Sequence, residues 1–135
     1  MNTMRLEIVT PDGTVFSEPV EMVTLQGIEG QMGILPHHTP LITQLKPGEM
    51  IVQKEGRKSF MAVGGGLAFV SGELVAIVTD MAVAAESIDE AGAEEARQRA
   101  AARLQDKISD EEVASVNASL ARSLAQLNVK RRRRV

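Results

Sequence analysis

Residues 81–93 run MAVAAESIDEAGA, and the grammar of the chain changes inside them. Met81-Ala82-Val83-Ala84 closes a series of short apolar runs. Ser87-Ile88-Asp89-Glu90 then has the pattern of a helix start, with Ser87 or Asp89 accepting from amides that the first turn leaves free. All five prolines lie at or before Pro47 and the last glycine is Gly92, so turn punctuation stops at this switch. One short hinge between Ala85 and Asp89 therefore divides a β part, residues 1–86, from a helical part, residues 87–135.

Working back from the hinge, the runs are MRLEIVT, TVFS, VEMVTLQ, MIVQK, SFMAV, LAFVS, LVAIVT and MAVAAE. Alternation is clearest at Met4-Arg5-Leu6-Glu7-Ile8 and at Val20-Glu21-Met22-Val23-Thr24-Leu25, as half-buried strands require. Asp12-Gly13, Lys54-Glu55-Gly56 and Ser71-Gly72 supply tight turns. Short strands at close spacing, with no βαβ crossover unit, indicate an all-β sandwich or barrel.

Forward of the hinge, Ala93, Ala96, Ala100 and Leu104 lie along one side of a helix ending near Gln105. Ser109-Asp110-Glu111-Glu112 opens a second helix with Val113, Val116, Leu120, Leu124 and Leu127 at spacings of three and four. The short link favours an antiparallel α-helix hairpin. Its first helix offers mostly alanine methyls, so we expect the hairpin to be held weakly against the β part.

Net charge is −3, unevenly spread: five basic and nine acidic residues precede Glu86, and from Val113 onward there are six basic residues and no acid. The absence of Cys removes disulfides and thiolate sites together. No apolar run approaches the roughly 20 residues of a membrane span. Gly64-Gly65-Gly66 is followed by the strand-like LAFVS, not by a helix that would cradle phosphate, and fits a close backbone approach instead. His37 and His38 are the only histidines, and as neighbours on an extended chain they point apart, so they suit a structural or interface role better than a metal site. No nucleophile–base spacing appears, and the chain reads as non-catalytic with no cofactor. The tail Lys130-Arg131-Arg132-Arg133-Arg134 suits an acidic protein surface or plain solvation; nucleic acid is the weakest choice, since no Trp or Tyr is present to stack bases.

Residues 27–45, GIEGQMGILPHHTPLITQL, combine a glycine-permitted reversal with prolines that remove edge donors, and their apolar groups Ile28, Met32 and Ile34 suit a partner surface or, for some of them, burial in the sandwich. Together with VTPDGTVFSEPVEMVTLQ before it, KPGEM and GGGLAFVSG after it, and the Ala/Arg-rich helix pair, this stretch resembles the epsilon subunit of the F-type ATP synthase over essentially the whole chain. The resemblance implies an all-β sandwich N-terminal domain of about ten short strands and a C-terminal antiparallel α-helix hairpin. It also implies a non-catalytic rotor subunit of the central stalk, linking gamma to the c-ring and coupling ion translocation to ATP synthesis. Ile28, Glu29, Gly30, Gln31 and Met32 would meet the c-ring; Thr10, His38 and Thr43 would meet gamma, with strand structure from His38 to Thr43. The hairpin would either fold against the β domain or extend toward the alpha and beta subunits, inhibiting hydrolysis when extended through a basic face of Arg97, Arg103, Arg122, Arg131, Arg132, Arg133 and Arg134. Contact with the membrane would be through the complex alone, at the cytoplasmic face of a bacterial plasma membrane. Relatives that bind ATP carry an Ile/Leu-Asp-x-x-Arg-Ala motif; here Ile88, Asp89 and Ala93 match, with Arg99 and Arg122 further on, while Gly92 replaces the arginine. A glycine in a helix interior costs about 1 kcal/mol relative to alanine, so the resemblance implies at most weak, regulatory ATP binding. Two rivals remain: a stand-alone nucleotide sensor, which would bind ATP without gamma, and a nucleic-acid module, whose binding would fall steeply with salt.

Overall fold

The computed structural model describes residues 2–133. Among these, ten strands precede two helices: β1 Met4–Thr10, β2 Gly13–Val20, β3 Met22–Gly27, β4 Gly30–Ile34, β5 Leu41–Leu45, β6 Gly48–Lys54, β7 Arg57–Val63, β8 Gly66–Val70, β9 Leu74–Thr79, β10 Ala82–Ala84, α1 Glu90–Arg103 and α2 Asp110–Arg132. The hydrogen-bonded order is β10-β7-β6-β3-β5-β8-β9-β1-β2, with β4 paired to β3. β3 and β5 share only the Gly27↔Leu45 pair. The sheet folds over at that joint into two five-stranded layers, β10-β7-β6-β3-β4 and β5-β8-β9-β1-β2.

Between the layers lies a core of Leu6, Ile8, Val20, Val23, Leu25, Ile34, Met50, Val75 and Ile77, all fully buried. The alternation of β1 sends Met4, Leu6 and Ile8 inward as expected. The run VEMVTLQ, however, is split: Glu21 is a bend, its amide donating to the Gln53 carbonyl at 2.8 Å, and β2 extends back through Pro19. Proline is tolerated there because β2 is an edge strand whose one neighbour is β1. Two strands arise that no apolar run announced, β4 and β5, both inside residues 27–45. Strand structure does not begin at His38; it begins at Leu41, because His37 takes φ of 68° in a turn and Pro40 cannot donate to a ladder.

The helices are capped as their sequences require. Asp89 accepts from the Gly92 amide at 3.1 Å and Ser109 from the Glu112 amide at 3.2 Å. Arg131 near the end of α2 pairs with Glu90 at the start of α1, while Arg103 at the end of α1 reaches Glu112 at the start of α2, so the hairpin is antiparallel. It is folded against the β sandwich through α2, which packs on β6, β7 and the 3-10 turn Ala85–Ser87. α1 packs on α2. Its alanines Ala93 and Ala100 are buried in the hairpin, so the thin apolar face foreseen for α1 does not set how firmly the hairpin docks. That task falls to Ala125 and Val129 of α2, the latter clustered with Ala62 and Ile88.

Candidate interaction surfaces

The reversal in residues 27–30 is a two-residue hairpin tip, Ile28-Glu29, closed by the Gly27↔Gly30 pair. Gly30 has φ of 137°, which excludes a side chain on steric grounds. A Cβ on Gly27 would stand 2.8 Å from Met32 Cε, so the glycine leaves room for that methionine to pack inward. Of the three apolar groups flagged here, Ile28 alone is exposed, at 55 %; Met32 packs on the core and Ile34 is fully buried. The predicted c-ring set thus forms a protruding tip of Ile28, Glu29, Gly30 and Gln31 braced from below by Met32.

Thr10, His38 and Thr43 all belong to the other layer or the loop that feeds it. Thr10 ends β1 and its Oγ1 accepts from the Asp12 amide at 3.2 Å, fixing the turn. His38 Nδ1 lies 2.6 Å from the Thr39 carbonyl, so that nitrogen donates. Thr43 pairs with the buried Ala68 and is itself half-buried. The residues that dominate this surface were missed in sequence: Ile42, at 68 % exposure, Leu67, Phe69 and Val78. They are cross-strand neighbours, Ile42 with Phe69 and Leu67 with Val78, and Val9 continues the row beside Val78. The result is a contiguous apolar stripe across β5, β8, β9 and β1 on the outer face of the layer. A signal existed in β8: Leu67 and Phe69 alternate with Ala68 and Val70, so both sets are apolar, whereas a strand wet on one side shows a polar set.

The hairpin's cations are not a free face in this arrangement. Arg97 pairs with Glu94, Arg103 with Asp106 and Glu112, Arg122 with Asp80, and Arg131 with Glu90 and Glu94. Arg132 and Arg133 both reach Glu49 of β6. Arg134 lies outside the described residues. The hydrogen bond from Arg97 holds the Glu94 carboxyl down at about 2. Donation to the Glu49 carboxylate raises the pKa of the Arg133 guanidinium. Of the nucleotide set, Ile88 and Ala93 are buried in packing, Asp89 caps α1, Arg122 is tied to Asp80 and Ser119, and Arg99 is exposed. Gly92 is the third residue of α1, not an interior one, so its helix cost is smaller than the interior figure. None of these five residues lines either of the two grooves beside α2. Among the described residues no group of three or more His, Asp or Glu side chains is placed to hold a metal ion, and no helix is long and apolar enough to cross a membrane.

Comparison with known proteins bears on the whole chain. Residues 3–85 match the ATP synthase Delta/Epsilon chain beta-sandwich domain, and residues 86–131 match the long alpha-helix domain of the same family. An ATP synthase epsilon chain of Nitrosococcus oceani is 44% identical over 126 residues, covering 93% of this chain and 90% of that one. One from Dehalococcoides mccartyi is 42% identical over 135 residues, covering 99% and 96%. A chain in the Euglena gracilis mitochondrial ATP synthase structure superposes with a TM-score of 0.75 at 29% identity, covering 93% of this chain and 79% of that one. A chain in the Tetrahymena thermophila central stalk/c-ring structure shares the fold, with a TM-score of 0.66 at 12% identity, covering 96% and 97%. With both domains matched in order, and β sandwich and hairpin built as described, this chain belongs to the ATP synthase delta/epsilon chain family, among its epsilon chains.

Proposed function

We propose that the chain is a non-catalytic rotor element that joins gamma to the c-ring, so that torque from ion flow reaches the alpha and beta subunits. The observation that carries this reading is the apolar stripe of Ile42, Leu67, Phe69 and Val78, left open on one outer face while α2 covers the other layer. Contiguous exposed apolar surface of this kind marks a protein contact, and gamma is the occupant we assign, with Thr10, His38 and Thr43 at its margin. The tip of Ile28, Glu29, Gly30 and Gln31 is the contact we assign to the polar loops of the c-ring. In the extended state the hairpin engages alpha and beta and impedes hydrolysis. Docking on the ring holds the chain at the cytoplasmic face of a bacterial plasma membrane as a peripheral component. No cofactor or nucleic acid is assigned. Weak regulatory ATP binding is the second reading, favoured by the exposed Asp89 and Arg99 on the hairpin.

The test is ATP hydrolysis by an alpha–beta–gamma complex with the full chain or with a version ending at Glu86, gamma binding being followed in parallel. We expect truncation to raise turnover while gamma binding persists. Equal rates with both versions bound would remove the inhibitory role from the hairpin. Loss of gamma binding by the full chain carrying a charge in the stripe, but not elsewhere, would support the gamma assignment.

A further inference from the structure

The basic end of α2 already has an acidic occupant. Glu49 sits on the outer face of β6, paired with Ala62 of β7, and its side chain is 7% exposed. Arg133 donates to it twice, from Nε to Oε2 at 2.8 Å and from Nη2 to Oε1 at 2.7 Å, and Arg132 adds Nη1 at 3.5 Å. The Arg133 guanidinium also lies 3.9 Å from the centre of the Phe60 ring. A bidentate fork and an aromatic face together fix an arginine far more closely than a surface ion pair does. The carboxylate depends on the arginine in turn, because a charge this buried is costly without its partner.

The surroundings make Glu49 decisive. Lys58, Lys130, Arg132 and Arg133 line one groove of about 680 Å³, in which Glu86 is the acid of the lining. Without the charge on Glu49, Arg132 and Arg133 lose their paired acid while sharing that groove with Lys58 and Lys130, and like charges repel. The apolar contact holding this end of α2 is one small cluster, Val129 with Ala62 and Ile88, and Met81, Val83 and Ala85 packed against them. Charge therefore weighs heavily in whether α2 stays down.

We propose that Glu49 is a latch for the hairpin, and that an acidic protein surface engages Arg132 and Arg133 by displacing the Glu49 carboxylate. The identity of that surface rests on the rotor reading above; the latch is a property of the chain alone, and its test needs no other subunit. It places the folded and extended states in competition for the same two guanidinium groups. Tight pairing inside the molecule, and not only affinity for the partner, then sets the fraction of chains able to inhibit.

The chain has no Cys, so a fluorophore pair can be placed cleanly at Lys46→Cys and Ala118→Cys, both exposed, one in the β5–β6 loop and one on α2. Energy transfer in the purified full chain then reports docking. Glu49→Gln and Arg133→Ala are each expected to lower the docked-to-open ratio about tenfold or more. The double variant is expected to go no further than the singles, since both remove one contact. Arg103→Ala, whose partners are both in the hairpin, is expected to leave transfer unchanged. A polyglutamate peptide is expected to lower transfer in the parent chain and to have no such effect once Arg133 is gone. Parent-level transfer in both single variants, with circular dichroism showing them folded, would overturn the latch; so would fully additive effects. Should Glu49→Gln disturb the β sandwich, the half-exposed Arg133→Ala decides alone. Polyglutamate that leaves the parent unchanged at saturation would overturn the displacement. Failure of the rotor reading shows separately, as absence of gamma binding.

Discussion

At the scale of single residues, the glycines of the 64–66 run do steric work that composition only hints at. A Cβ on Gly66 would stand 1.9 Å from the Val78 carbonyl oxygen, and one on Gly64 would overlap Asp80 Oδ1 at 1.7 Å. The first obstacle is backbone in a paired strand, which has nowhere to go; the second is the end of a movable side chain. Gly66→Ala is therefore expected to cost about 3 kcal/mol or more, against a smaller loss for Gly64→Ala, measured by urea unfolding of the full chain. Equal losses at both positions would mean that the strand pair yields. The sequence did show that a strand, and not a helix, follows this run. It did not show which neighbour presses on each glycine, since Val78 and Asp80 are brought there by pairing of β8 with β9. Gly92 differs: a Cβ there meets the Asp89 carboxylate at 2.6 Å, a flexible obstacle, so an arginine at this position disturbs the cap of α1 more than the helix itself.

At the scale of elements, each helix is written plainly in sequence and its docking is not. Caps at Asp89 and Ser109 and the spacing of three and four announce α1 and α2. Which helix faces the β sandwich depends on Glu49 of β6 and Phe60 and Ala62 of β7 lying under α2, residues on two strands far from α2 in sequence. Acidity gives a test of the hairpin's own charge pattern. Glu94 is held at about 2 by Arg97, with the burial of its surroundings opposing and Gln98 and Arg131 assisting. A folded pKa below the ordinary value of 4.5 contributes stability that is complete above about pH 4.5 and is lost as pH falls through about 2. Carboxyl carbon shifts should show Glu94 titrating near 2, with helix content of the hairpin declining over the same window. A midpoint near 4.5 would mean that the pair with Arg97 is not kept in solution.

At the scale of the whole molecule, the two outer faces of the sandwich have different fates. One is covered by α2 and held by Glu49; the other carries Ile42, Leu67, Phe69 and Val78 in the open. Ile42→Glu should leave the isolated chain within about 0.5 kcal/mol of its parent stability, as an exposed position allows. Its affinity for gamma should fall by about tenfold or more, as replacement of a central apolar contact does; calorimetry on the two purified subunits would measure it. Unchanged affinity would move the gamma contact elsewhere. By itself the sequence determined that a β part precedes a helix pair and where each helix starts, because these rest on local periodicity, turn residues and caps. The tertiary structure alone decided that β4 arises within residues 27–45, that one outer face stays apolar and open, and that Arg132 and Arg133 are spent on Glu49. These depend on pairings between residues such as Ile42 and Phe69, or Glu49 and Arg133, which stand 27 and 84 positions apart. Local pattern carries no record of which distant strand a residue will meet.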